Sequence, residues 1–241
     1  MKILKNAGTF EIVKISTDIV EDIAKAGRVC KQSTGDNKNN IKLVRNLLDM
    51  GHHAMVEFSD MTVKFDLISR GFTHEQVRHR LTNIAQESTR FVDESEFLVV
   101  VPPHKNEDEK VIEIKLPFYE CKISLKEWFE LNEQAYRSLR KAGWKPEDAR
   151  QVLPIAIKSQ LMVKANLREW IHIFKMRCDV YAHWEIRGVM LQLLNTCKKN
   201  VPLIFDDFRF YSKIDTEFFK EYFDKLEPKY IVDNQIYARN Y

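Results

Sequence analysis

Apolar side chains recur along this chain with two periods, and each change of period marks an element. Ile3, Ile12, Val13 and Ile15 lie on either side of a turn-forming Gly8, which predicts a short hairpin or two edge strands over 2–16. A helix is expected from Ile19 to Val29, then a polar, turn-rich loop from Gln32 to Asn37. From about Lys38 to Met50, Ile41, Val44, Leu47 and Leu48 keep helical spacing, and Gly51 stands where a glycine ends a helix, handing His52 and His53 to a loop. Met61, Val63, Phe65 and Leu67 then alternate with Thr62, Lys64 and Asp66, the pattern of a strand with one buried face. After a turn at Ser69-Arg70-Gly71, Thr73 and Gln76 have the spacing of a capping box, which predicts a helix that ends on Arg78, His79 and Arg80. Phe97 to Val101 and Val111 to Leu116 read as strands, separated by Pro102-Pro103 and an exposed, charged loop from His104 to Lys110.

The second half reads as mainly helical. Ser124 and Glu127 form another capping box, with Leu125, Trp128, Phe129, Tyr136 and Leu139 as a packing face and Gly143 as the stop. Pro146, with Glu147 and Asp148 behind it, starts a segment that Pro154 must break. Asn166 with Glu169 predicts an N-cap, and Leu167, Trp170, Ile171 and Phe174 form an apolar stripe. Arg168 and His172 share another side, whereas Arg177 points about 140° from His172 on an unbroken helix, which predicts separate ligands or separate subunits for the two. A long helix from Val180 to Lys199 is expected next, and Trp170, Phe174 and Trp184 are expected in the core.

Composition narrows the class. With 241 residues, 44% of them hydrophobic, and no repeat or linker, a single α+β domain over 1–241 is the economical architecture, with a tail of unassigned role from about 205 to 241. Lys plus Arg (38) nearly balances Asp plus Glu (35), so an anion site must be local. The absence of a long apolar run argues for a cytoplasmic protein. Cys30, Cys121, Cys178 and Cys197 form no paired motif, which argues against a metal site and against a disulfide framework. Cys178 and Cys197, in apolar helical stretches, are expected to be inert, as is Cys121, while Cys30 near Arg28 stays open.

The densest candidate chemistry is RHRLTNIAQESTR, from Arg78 to Arg90. Guanidinium forks and hydroxyls in that density suit a phosphate or another oxyanion. A solvated helix end with ordinary ion pairs is the alternative. His52 could likewise cap a helix, Glu57 hold a salt bridge and Arg150 be a surface charge.

Arg78-His79-Arg80, seven residues and then Ser88 resemble the hallmark of the flavin-dependent thymidylate synthases. GHHAMVEF at 51–58, ARQVLP at 149–154, NLREWIHIFKMR at 166–177 and AHWEIR at 182–187 resemble further segments of that family in the same order. The resemblance implies an α+β fold with a twisted, largely antiparallel sheet and long helices, assembled as a homotetramer with active sites shared between subunits. It implies conversion of dUMP to dTMP, with methylenetetrahydrofolate as the carbon donor and FAD, reduced by NADPH, as the hydride carrier. Arg78, His79, Arg80, Gln86, Asn166, Arg168, His172, His52 and Glu57 would then face FAD. Glu75, Gln86, Glu87, Ser88, Thr89, Arg90 and Arg150 would hold dUMP, and Arg177 would favour ionisation of the uracil ring. The chain departs from the pattern at Glu75, where glutamine is frequent, and at Ala54, Phe58, Phe91 and His183. A non-catalytic nucleotide- or RNA-binding module using the same Arg/His cluster is the rival. The near-neutral charge and the lack of a basic stripe interleaved with aromatics speak against it.

Overall fold

The computed structural model describes residues 1–5, 7–35 and 39–206. Asp36 and Asn37 of the expected polar loop, and the expected tail beyond Asp206, lie outside the described residues. The elements run β1 (Lys2–Leu4), β2 (Thr9–Ile15), α1 (Ile19–Lys31), α2 (Asn40–Asp49), a 3-10 segment (His53–Phe58), β3 (Asp60–Ser69), α3 (Arg70–Gln76), β4 (Asn83–Gln86) and β5 (Leu98–Val100). They continue with β6 (Ile112–Leu116), β7 (Tyr119–Ile123), α4 (Leu125–Lys141), α5 (Pro146–Ala149), a 3-10 turn (Arg150–Val152), β8 (Lys158–Asn166), α6 (Leu167–Arg177), α7 (Trp184–Asn200) and α8 (Pro202–Phe205). The class is mixed helix and sheet, an antiparallel sheet with helices. A four-stranded sheet has the order β2-β3-β8-β4. β6 and β7 form an antiparallel hairpin with Ile112 opposite Ile123, while β1 and β5 pair in parallel. No described helix is long and apolar enough to cross a membrane.

Several local signals act as their chemistry requires. Gly51 adopts φ 74°, and the amides of Gly51 and His52 close on the carbonyls of Leu48 and Leu47, ending α2 in a left-handed cap. Ser124 and Glu127 form the full reciprocal capping box of α4. Asn166 Oδ1 accepts from the Glu169 amide at 2.8 Å, so α6 starts where the sequence places it.

Other expectations change. Over 2–16 the two-strand alternative holds and the hairpin does not form, since β1 and β2 belong to different sheets. The Thr73/Gln76 box is displaced by an earlier cap: Ser69 Oγ accepts from the Phe72 amide at 3.1 Å, and α3 starts at Arg70. Arg78, His79 and Arg80 therefore lie in the turn that follows α3. Leu67 takes φ 53° and shifts the alternation of β3 by one residue, burying Ile68 and Ser69 instead. β8 interrupts the expected run of helices with Ser159, Leu161, Val163 and Ala165 on its buried face. Two of those four are small or polar, which dilutes an apolar alternation. Trp128 is 42% exposed while its neighbour Phe129 is buried, so it leaves the packing face of α4. α7 starts at Trp184, four residues later than its pattern.

Contacts within the chain resolve two compact units. Among the described residues, the first comprises those of Met1–Gly8, Asp66–Gln76 and Gln86–Leu161, and the second those of Thr9–Phe65 and Val77–Ala85 and those from Met162 to Asp206. The first is built on Phe97, Val99, Val101, Phe129, Tyr136, Ala149 and Ile157. Its buried Glu133 takes the Phe97 amide at 2.9 Å and the N-terminal ammonium at 3.1 Å. The second packs α6 against α7 and the 3-10 segment, and α1 against α2. Trp170 and Phe174 are fully buried there, as expected, and their rings run on to Phe205. Burial drives the thiols of Cys178 and Cys197 far above their ordinary range, which leaves them unreactive.

Candidate active site

In the second unit the turn after Val77 brings one imidazole inward and leaves two guanidinium groups outside. His79 is 6% exposed, whereas Arg78 and Arg80 on either side of it are exposed. The turn is pinned by Thr82 Oγ1, which donates to the His79 carbonyl at 2.6 Å. Against the buried imidazole lies α6. Arg177 donates from Nε to His79 Nε2 at 3.0 Å, Glu169 Oε1 stands 3.6 Å from His79 Nδ1, and the His172 ring meets the His79 ring edge-on at 5.7 Å. His172 and Arg177, expected on different sides of α6, thus both meet the His79 ring. His79 is large enough to meet both sides of α6 at once.

Burial, then the charge of Arg177 and then that of His172, push the His79 imidazole down to about 4. It is neutral at neutral pH, so its contact with Glu169 is not an ion pair. Burial raises the Glu169 carboxyl above its ordinary range. The lowered imidazole has a consequence for stability. As pH falls from about 6.5 towards about 4, the unfolded chain takes up a proton at His79 that the folded chain refuses, so stability is lost in that window and is fully present above it. Chemical denaturation at pH 7 and pH 5 should show the native protein losing about 2 kcal/mol more than a His79→Gln variant. Equal losses in the two proteins would mean that His79 titrates normally.

His79, Glu169 and His172 also place ligand-capable atoms within 4.8 Å of one another. The Arg177 guanidinium on the same imidazole opposes a cation there, and this donor set is better suited to an anionic or hydrogen-bonding ligand. Glu57, on the 3-10 segment, pairs directly with Arg168 of α6, joining two residues singled out from sequence. Both are exposed, so the pair orients more than it stabilises. His52 is exposed at the start of that segment. Asn166 has its Oδ1 engaged as the α6 cap.

The first unit collects the other group. Gln86 donates to Thr73 Oγ1 at 2.8 Å, and Arg70 donates to the Glu87 carbonyl at 2.8 Å. Glu87 pairs with Lys158 at 3.2 Å, and Lys158 also reaches Asp66 at 3.5 Å. Ser88 carries the following turn, its carbonyl accepting from the amides of Phe91 and Val92 and its Oγ from that of Arg90. Arg150 donates to Thr89 Oγ1 at 3.4 Å, so the structure joins two residues that the sequence placed sixty-one apart. Arg90 directs Nε and Nη2 to Glu147 on α5, at 3.0 and 2.8 Å. Glu75 is half-buried on α3.

Three polar residues of this group escaped sequence reasoning: Arg70, Lys158 and Glu94. Burial and the nearby Glu87 carboxylate push the Glu94 carboxyl up. The signal for Lys158 was present in β8, where it shares the half-buried face with Gln160. Glu94 carries no local signal, because its environment is assembled from distant segments.

A family model described as thymidylate synthase complementing protein matches residues 11–203. The chain is 34% identical over 197 residues to a flavin-dependent thymidylate synthase of Corynebacterium efficiens, covering 76% of this chain and 77% of that one. It is 33% identical over 195 residues to the flavin-dependent thymidylate synthase of Geobacter sulfurreducens, covering 77% and 80%. Among solved structures, the fold is similar to the UMP/dUMP methylase PolB from Streptomyces cacaoi bound with 5-Br dUMP. The TM-score is 0.68 at 22% identity, over 89% of this chain and 99% of that one.

Proposed function

Because the chain belongs to the thymidylate synthase complementing protein family, we propose that it is a flavin-dependent thymidylate synthase whose two groups of polar residues hold cofactor and nucleotide. The reaction is reductive methylation of dUMP to dTMP, with methylenetetrahydrofolate giving the carbon and FAD, reduced by NADPH, the hydride. The donors in the second unit fit FAD. Arg78, Arg80 and Arg168 expose guanidinium groups suited to a diphosphate, and His172 and His52 add exposed imidazoles suited to ring carbonyls. Bound there, FAD supplies the redox chemistry, and the chain's own residues supply binding, orientation and charge. His79 holds Arg177, and Glu57 holds Arg168.

Gln86 to Arg90, with Arg150 and Glu75, form the dUMP side of the reading. Arg150 and Thr89 supply a guanidinium and a hydroxyl for the phosphate, and the family resemblance assigns Gln86 to the flavin as well as to the nucleotide. Arg177 supplies a positive charge to the uracil ring, which favours its N3 anion as any neighbouring cation favours an acid's charged form. The whole chain acts as one catalytic domain, assembled as a homotetramer with active sites shared between subunits, in the cytoplasm. These last points follow the family resemblance.

The observation that carries the reading is the meeting of Arg177 with His79 of the Arg-His-Arg segment, within a chain that matches the family over 11–203. The purified protein is expected to be yellow, to change its flavin spectrum on addition of dUMP, and to form dTMP from dUMP, methylenetetrahydrofolate and NADPH. FAD reconstitution that yields neither dTMP nor dUMP-dependent flavin oxidation would sink it. Salt-sensitive oligonucleotide binding without any flavin requirement would then favour a binding module.

A further inference from the structure

Glu169 is a carboxylate that the reading above does not use. It lies in the first turn of α6 and is 6% exposed, and its carboxylate stands against His79 Nδ1. Burying a carboxylate is costly, and a helix needs no buried carboxylate at this position, since Asn166 already caps α6 by accepting from the Glu169 amide. The side chain serves something beyond the helix.

The imidazole shows what that is. Neutral histidine carries one proton, and the nitrogen without it is the acceptor. Arg177 is always a donor, and its Nε–H points at His79 Nε2, so Nε2 must present its lone pair. The proton therefore belongs on Nδ1, the nitrogen that faces Glu169 Oε1. A carboxylate beside Nδ1–H favours that tautomer, whereas the alternative tautomer would set two N–H groups against each other between His79 and Arg177. Anchoring through Nε also fixes the plane of the guanidinium, and with it the direction of the terminal N–H groups.

We propose that Glu169 is a positioning residue that holds His79 in its Nδ1–H tautomer, so that His79 in turn anchors the guanidinium of Arg177 for its work on the nucleotide. The assignment rests on the thymidylate synthase reading for its consequence in turnover, but not for its geometry. A chain of three side chains results: Glu169 sets the proton, His79 presents the lone pair, and Arg177 is aimed.

A double-mutant cycle on the FAD-loaded enzyme tests it. Glu169→Leu should lower kcat about ten- to a hundredfold, the usual cost of losing an orienting partner, with KM for dUMP and FAD content little changed. In an Arg177→Ala background the same change should cost almost nothing, because no guanidinium remains to be aimed. Glu169→Gln, whose amide oxygen can still face Nδ1–H, should recover most of the turnover. Equal losses from Glu169→Leu in both backgrounds would overturn the proposal. The tautomer is read independently of any variant by nitrogen-15 histidine spectroscopy of the native holoenzyme. A proton on Nδ1 of His79 supports the assignment, and a proton on Nε2 overturns it even if the leucine variant fails to fold. A native enzyme that makes no dTMP removes the functional reading, while the histidine spectrum still decides the proposal.

Discussion

Replacing Arg177 with alanine should cut dTMP formation by about a hundred- to a thousandfold, the usual loss when a donor aimed at developing charge is removed. FAD content should stay near that of the native protein, because the guanidinium groups proposed for the diphosphate, those of Arg78, Arg80 and Arg168, are untouched. The reason lies in how Arg177 is held. Its Nε is committed to His79 at 3.0 Å, so in the proposed role the guanidinium would enter the reaction already oriented, with little reorganisation as the uracil ring gains charge. Lysine keeps the charge but has neither the planar fork nor the Nε–H, so Arg177→Lys should recover only part of the loss. Steady-state turnover measured beside the flavin absorbance of each variant separates the roles. Normal turnover in the alanine variant would remove Arg177 from the mechanism, and loss of flavin in step with turnover would reassign it to cofactor binding.

Replacing Trp170 with alanine should cost about 4–6 kcal/mol of stability, the sum of a large cavity and an orphaned carbonyl. Trp170 is fully buried, its ring lies 5.8 Å from that of Phe174, and its Nε1–H donates to the Met61 carbonyl of β3 at 2.9 Å. It is the clamp that fixes α6 on β3, and α6 carries Arg168, Glu169, His172 and Arg177. Whole domains are stable by only about 5–15 kcal/mol, so this one side chain accounts for a large share. Trp170→Phe keeps most of the volume and forfeits the hydrogen bond, so its cost should be closer to about 1–3 kcal/mol. Denaturant midpoints at constant slope give both numbers. A loss under about 1 kcal/mol for alanine would show that the surrounding side chains collapse into the gap and that α6 is held elsewhere.

Three capping signals were legible because their partners lie within four residues. Ser124 with Glu127, Asn166 with Glu169, and Gly51 after Leu47 and Leu48 could be read because both halves of each interaction stand side by side in the chain. Thr73 with Gln76 shows the limit of the same method. Ser69 lies one turn earlier with its own helix to cap, and local spacing cannot rank two overlapping starts. β8 was hidden for a different reason: burial in a sheet accepts Ser159 and Ala165 as readily as leucine, so the strand's buried face did not look apolar.

The site divides along the same line. Sequence alone determined the candidates for the chemistry: the Arg-His-Arg segment, the hydroxyls after it and the Asn-Leu-Arg start of α6 stand in a linear order that the family resemblance makes recognisable. Only the tertiary structure decided that Arg177 meets a histidine ninety-eight positions away, and that Glu57 meets Arg168 across one hundred and eleven. It also decided that one imidazole of the motif is buried while the two arginines beside it stay in solvent. Hydrophobic period and capping are short-range properties of the chain. Where a proton sits on a buried imidazole depends on burial and on charges brought together by folding, which no spacing within the sequence records.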